Sequence, residues 1–246
     1  MPDLTVNILA FGAHPDDVEI MAGGTLVMMK KKGYRTGIVD LTRGESGTYG
    51  TVAERAAEAA EAARILGLET RVNLGLPDAD LHNTAESRLK VIEIIRRLRP
   101  EVVLAPVTHT RHPDHGAAGA IVREAAFLAG LAKIETDRPK HRPAAVLHYG
   151  ELTKDTPDFV VDISDAWETK VAAIRAHKSQ VYIPDRDGGA APEARTLIRS
   201  KDFWEIVQAR FRYFGGMNGV TYAEIFYCDT IPRVEDIVSA FTRKIK

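Results

Sequence analysis

The sequence predicts an α/β fold: a Rossmann-like, doubly wound sheet, mostly parallel, with helices on both faces. Three observations carry that prediction. Short β-branched runs alternate with longer helical patterns over the first 150 residues, turn residues bound each run, and no linker or internal repeat breaks the order. The 246 residues, 45% hydrophobic and 27% charged, suit one ordinary globular domain, with residues 1–150 as the βαβ core and 151–246 as a capping part of it.

Residues 5–11 read as strand one, followed by a loop around His14 and a helix that Gly33 can end in the left-handed region. Residues 36–41 form strand two. Thr51, with Glu54 three positions on, makes a capping box that opens an Ala-rich helix reaching to about Gly67. Strand three covers 71–74. Asn83 with Glu86 starts the next helix, Pro100 stops it, and the apolar run 102–105 supplies strand four. Pro113 suits the first turn of a further helix, and 144–149 is a fifth strand. The pattern then becomes mixed, with strands at 159–163 and 220–227 and helices at 165–176 and 201–214. The stretch 184–199, with two Pro, two Gly and mixed charge, is expected together with Tyr182 to act as a lid that excludes water.

A formal charge of -1 provides no broad basic field, so neither nucleic acid nor an anionic membrane is an expected partner. No apolar run approaches the roughly 18 residues of a spanning helix. The single cysteine, Cys228, cannot form an intrachain disulfide, and the first apolar run lacks both a basic leader and a cleavage site; a cytoplasmic location is expected.

In open parallel sheets, ligands bind beyond the carboxyl ends of the strands. After strand one comes G-A-H-P-D-D-V-E, residues 12–19, where a dinucleotide-binding protein needs a glycine-rich turn. Asp16, Asp17 and Glu19 would repel a pyrophosphate and suit a cation. After strand four comes H-T-R-H-P-D-H-G, residues 109–116, with three of the eight histidines. Two imidazoles and one carboxylate with an open fourth position make a catalytic zinc site, although the same donors suit iron(II) in an oxygenase. A non-catalytic metal- or sugar-binding module is the third possibility, and it leaves the additional Asp16 and His112 without a task. Locally, Asp16 could be a helix N-cap and Asp114 a first-turn carboxylate favoured by the helix dipole.

A-H-P-D-D-V-E at 13–19, H-P-D-H at 112–115, A-H-K-S-Q at 176–180 and N-G-V-T-Y-A-E-I-F at 218–226 together resemble the PIG-L (LmbE-like) zinc deacetylases. The length and R-G-E-S-G-T at 43–48 resemble the branch that deacetylates N-acetylglucosaminyl-malate in bacillithiol biosynthesis. By motif position, the resemblance implies one zinc ion per chain held by His14, Asp17 and His115, with Asp16 as general base, His112 as electrophilic partner and Asp114 orienting His112 and keeping it protonated. It places Arg55 beside the sugar, where the plain alternative is a surface pair with Glu58. Tyr49 stands where close relatives of that branch carry arginine. His109, His177 and Tyr182 are further substrate-binding candidates, while His82, His141 and His148 read as structural. The implied substrate is a small amino-sugar conjugate, malate-linked first and chito-oligosaccharide or another N-acetylglucosamine conjugate second. The implied assembly is a homo-oligomer, a trimer or hexamer.

Overall fold

The computed structural model describes residues 4–150, 156–183 and 196–238. The first half runs β1 (Ile8–Gly12), α1 (Asp17–Lys31), β2 (Thr36–Thr42), α2 (Val52–Leu66), β3 (Thr70–Leu76), α3 (Ala85–Leu98), β4 (Val102–Pro106), α4 (Pro113–Leu128) and β5 (Ala145–Tyr149). The second half adds β6 (Phe159–Asp162), α5 (Trp167–Ala176), α6 (Lys201–Met217) and β7 (Ala223–Cys228), with short 3-10 turns at Ser164–Ala166 and Leu197–Arg199. Seven strands share one sheet in the order β3-β2-β1-β4-β5-β7-β6. The first five are parallel; β7 runs antiparallel to both β5 and β6. The mostly parallel α/β fold is therefore the one expected. The two late strands widen the sheet, and α6 supplies a wall above it.

The core follows from the two-residue period of the strands. β1 is buried along its whole length. Ile8 and Ala10 enter a cluster with Leu26, Trp167 and Phe211 on one face, whereas Leu9 and Phe11 enter a second with Ile95 and Ile121 on the other. Helices α1 and α5 cover the first face and α3 and α4 the second. A strand buried on both faces must be continuously apolar, as I-L-A-F is.

Several boundaries differ from expectation: β7 begins at Ala223 rather than 220, α6 continues to Met217 rather than 214, and three others have a local cause. The capping box of α3 pairs Thr84 with Ser87, whose backbone and side chain bond reciprocally at 3.1 and 2.9 Å. Asn83 instead donates its amide to Glu124 at 2.8 Å, so it serves as a tether between α3 and α4. Strand one begins only at Ile8, because residues 4–7 lie beyond the span of its neighbours. The helix expected from residue 165 starts as a 3-10 turn, and α5 proper begins at Trp167. The capping box at Thr51 and the left-handed Gly67 that ends α2, φ 66°, are as read. Residues 184–195 of the expected lid lie outside the described residues. Among the described residues, no helix is long and apolar enough to cross a membrane.

Candidate active site

The chain leaves β1 toward β2 on one side, while β4 pairs with β1 on the other. This reversal of strand order opens a crevice at the carboxyl ends of β1 and β4. Gly12 closes β1, and a Cβ there would lie 3.1 Å from the carbonyl of His14 and 3.2 Å from Cβ of Asp17, so a side chain would crowd the turn. The carbonyl of Ala13 accepts both the amide and the hydroxyl of Thr42 at 2.9 Å, fastening the loop to the end of β2. Asp16 then occupies the N-cap position of α1 with φ 127°, a left-handed conformation strained for any residue but glycine. Its side chain makes no cap hydrogen bond. The N-cap alternative is thus met in position, without the capping hydrogen bond that would make it the side chain's task.

On the opposite side of the crevice, His112 is the N-cap of α4, Pro113 follows at the first helical position, and Asp114 and His115 complete the turn. Two loops a hundred residues apart in sequence thus meet. The ring centres of His14, His112 and His115 lie 5.0, 5.4 and 4.6 Å apart. Asp17 Oδ1 is 3.1 Å from His115 Nε2, and Asp17 Oδ2 is 3.6 Å from His14 Nδ1. Donor atoms of His14, Asp17 and His115 all fall within 4.8 Å of one another, close enough for one cation. His14, His112 and Asp114 form a second possible trio. The carboxylate of Asp114, however, already accepts the backbone N–H groups of Ala79 at 2.8 Å and Leu81 at 3.4 Å, which leaves Asp17 the freer ligand.

Asp78 was not anticipated. It follows β3 in the loop L-P-D-A-D, and its Oδ1 lies 2.9 Å from His14 Nε2, with Asp114 Oδ2 at 3.3 Å from the same nitrogen. Two carboxylates thus hold the far side of the ring, leaving Nδ1 to face a metal. The strand-end rule that singled out the other two loops applies to this one too, but its one histidine, His82, is exposed and pairs with Asp80, so the loop lacks the clustered histidines that mark the other.

Electrostatics reinforces the arrangement. Burial alone would lower the His14 pKa, but bonds to Asp114, Asp17 and Asp78 push it up to about 12. Burial opposes ionisation of Asp17, yet His115 and His14 hold it well below the usual carboxylate range. The hydrogen bond from His14 holds Asp114 at about 2. Positive charge is needed here, which is the chemical fit of these donors to a divalent cation. Asp16 behaves differently: burial raises its pKa to about 6, against the pull of Arg55 and His177. A carboxylate poised close to neutrality beside a candidate metal site has the proton affinity required of a general base.

The backbone N–H of Asp114 donates to Nδ1 of His112 at 3.3 Å. An acceptor Nδ1 puts the ring proton of a neutral imidazole on Nε2. Burial, then repulsion from His115 and His14, lowers the His112 pKa. Asp114 thus meets His112 through its backbone amide, while its carboxylate is committed to His14 and the loop after β3.

Arg55 is buried and donates to the carbonyls of Gly44 at 2.8 Å and Pro15 at 2.9 Å, 3.7 Å from Asp16. Its expected alternative partner, Glu58, caps Ser179 instead. Glu19 turns away from the cluster to Arg71 at 2.5 Å and His177 at 2.8 Å. A cavity of about 660 Å³ joins His14, Asp16, Asp17, Arg55, His112 and His115 and is walled by α6. Four substrate-binding candidates do not line it. His177 is wholly buried against Glu19; Tyr49 stacks under Arg199 at 4.1 Å; His109 is exposed with its Nδ1 3.2 Å from the Thr108 hydroxyl; and Tyr182 lines a neighbouring pocket of about 190 Å³. Arg111 and Arg210, neither singled out in the sequence, do line the cavity.

The PIG-L family, described as GlcNAc-PI de-N-acetylase, matches residues 9–126. The chain is 31% identical to the diacetylchitobiose deacetylase of Thermococcus kodakarensis, over 89% of this chain and 81% of that protein. It is 27% identical to a Bacillus cereus protein named "Probable N-acetyl-alpha-D-glucosaminyl L-malate deacetylase 2", over 80% and 96%. It is also 27% identical to the 4-oxalmesaconate hydratase of Pseudomonas putida, over 72% and 75%. Among solved structures, the conserved protein TT1542 from Thermus thermophilus superimposes with a TM-score of 0.85 at 39% identity, covering 97% of this chain and all of that one.

Proposed function

The chain belongs to the PIG-L family, and from that premise we propose that it is a metal-dependent hydrolase that releases acetate from the acetamide of a small N-acetylglucosamine conjugate. The observation that carries the reading is Asp16, a strained, buried carboxylate with a pKa near 6, next to the trio of His14, Asp17 and His115. Those three residues would hold zinc, which supplies Lewis acidity and lowers the pKa of a bound water toward roughly 7. Asp16, ionised at neutral pH, takes a proton from the attacking water and returns it to the departing amine nitrogen. Neutral His112 donates its Nε2 hydrogen to the oxygen on which negative charge develops. Arg55, at the cavity wall, keeps Asp16 and the Pro15 carbonyl in place.

N-acetylglucosaminyl-malate is the first candidate substrate, supported by the R-G-E-S-G-T resemblance and by Arg111 along the cavity, whose guanidinium group suits a carboxylate. Diacetylchitobiose is the second, favoured by the 31% identity to a deacetylase of that sugar. The test is acetate and free-amine release by metal-stripped protein, with and without added zinc, from both compounds. Zinc-dependent release fastest from the malate conjugate is the expected result. Faster turnover of the chitobiose would discard the malate assignment, and absence of acetate with any N-acetylglucosamine conjugate would discard the deacetylase reading, the hydratase relative marking the chemistry to try next.

A further inference from the structure

Lys170 of α5 and Glu224 of β7 are wholly buried, and neither lines the cavity. Both end on α1. Lys170 Nζ donates to the backbone carbonyls of Glu19 at 3.0 Å and Ile20 at 2.7 Å, and to Glu224 Oε1 at 2.5 Å. The Glu224 carboxylate accepts the backbone N–H groups of Gly24 at 2.9 Å and Thr25 at 2.7 Å. In an α-helix, the carbonyl of residue i accepts the N–H of residue i+4, so the Ile20 carbonyl and the Gly24 amide are two ends of one rung. Here each end reaches a buried, charged side chain. Gly24 also lets Ile163 pack against the helix at this rung, since a Cβ there would stand 2.9 Å from the Ile163 side chain.

A buried ion pair is a poor source of bulk stability, because desolvation offsets the attraction and apolar replacements are often neutral. What four hydrogen bonds to one helix backbone do provide is a fixed place for its first turn. Asp16, at φ 127°, stands between two such fastenings: Arg55 on the carbonyl of Pro15 before it, and Lys170 on the carbonyls of Glu19 and Ile20 after it. A backbone conformation that disfavoured persists only when its surroundings over-determine it.

We propose that Lys170 and Glu224 are positioning residues that set the first turn of α1 and thereby the placement of Asp16 and Asp17. The inference rests on the metal-site reading above through those two residues. The test replaces the pair with apolar groups, Lys170→Met with Glu224→Leu, and compares thermal midpoint, Co2+ affinity, amide exchange over residues 17–20, kcat and KM with the parent protein. The expected double variant stays folded with a similar midpoint, exchanges faster at 17–20, and loses roughly 10- to 100-fold in Co2+ affinity and kcat with KM little changed, as partners of metal ligands do. A folded double variant with the parent's Co2+ affinity and exchange rates would overturn the proposal. Should the pair replacement not fold, Glu224→Gln, which keeps the volume but removes the charge and turns one of the two acceptor oxygens into an NH2 donor facing an N–H group, carries the same comparison, and an unchanged Co2+ affinity there is equally fatal. Absence of deacetylase turnover in the parent would count against the proposed function alone, since Co2+ binding and exchange are read without substrate.

Discussion

Asp16 is a residue whose stability and chemistry pull in opposite directions. Its pKa is raised by burial from 3.8 to about 6, so the folded protein binds a proton that the unfolded chain has released across that window. Stability of the metal-free protein therefore falls as pH rises from about 4 to 6, and Asp16→Asn should add about 3 kcal/mol at pH 7 in urea unfolding, two pKa units at about 1.4 kcal/mol each. The same variant should keep Co2+ binding and lose roughly 10²- to 10⁴-fold in kcat, the usual contribution of a general base; near-normal turnover would remove Asp16 from that role. Because the base must be ionised, kcat/KM should decline as pH falls through the Asp16 titration, which burial raises and a bound cation draws back down. His14 yields a different readout. Held protonated by Asp114, Asp17 and Asp78 when no metal is bound, it must give up the Nδ1 proton to become a ligand. Calorimetry of zinc binding at pH 7 in buffers of different ionisation enthalpy should therefore register release of about one proton per metal bound. No release would mean that His14 is not a ligand.

At the scale of elements, helix starts govern the site. The N-terminal turns of α1 and α4 carry two of the candidate ligands, Asp17 and His115, with His14 in the loop just before α1, and α2 presents Arg55 from its first turn, held there by the Thr51 capping box. Arg55→Met leaves the carbonyls of Gly44 and Pro15 without their donor in a buried place and should cost about 3 kcal/mol in urea unfolding. Arg55 is also the strongest opponent of the upward shift at Asp16, so the acid limb of kcat/KM should move to higher pH in that variant. An unshifted limb would separate Arg55 from the base. For α3, the reciprocal Thr84–Ser87 bonds assign the cap: Thr84→Ala should cost about 1 kcal/mol, more than loss of the exposed Asn83–Glu124 tether in Asn83→Ala. Equal losses would show that the helix is anchored elsewhere.

For the whole molecule, the sheet order places the catalytic candidates, because the reversal between β1 and β4 brings their two loops together and β3 adds a third. The resemblance to the family further suggests a homo-oligomer, and exposed apolar side chains such as Phe127 on α4 and Ile231 after β7 give it surface to bury. Sedimentation velocity at micromolar concentration should find a trimer or hexamer; a monomer would end that expectation.

Local pattern decided much of this protein. The two-residue and 3.6-residue periods, the Thr51 capping box, Gly67 and Pro113 located the elements, and the histidine- and aspartate-rich loops after strands one and four marked the metal candidates, because those features are written in neighbouring residues. Whatever depends on which way a side chain turns was decided by the tertiary structure. Glu19 sits in the same motif as Asp17, yet it points inward to Arg71; Asp78 comes from a loop with nothing to distinguish it, yet it reaches His14; the carboxylate of Asp114 serves His14 while its amide serves His112. His177 and Glu224 lie in motifs that the sequence marks, but the motifs do not name their partners; the packing of α5 and β7 against α1 brings them, with Lys170, onto that helix. Burial and pairing across a hundred residues set those partnerships, and a linear pattern encodes neither.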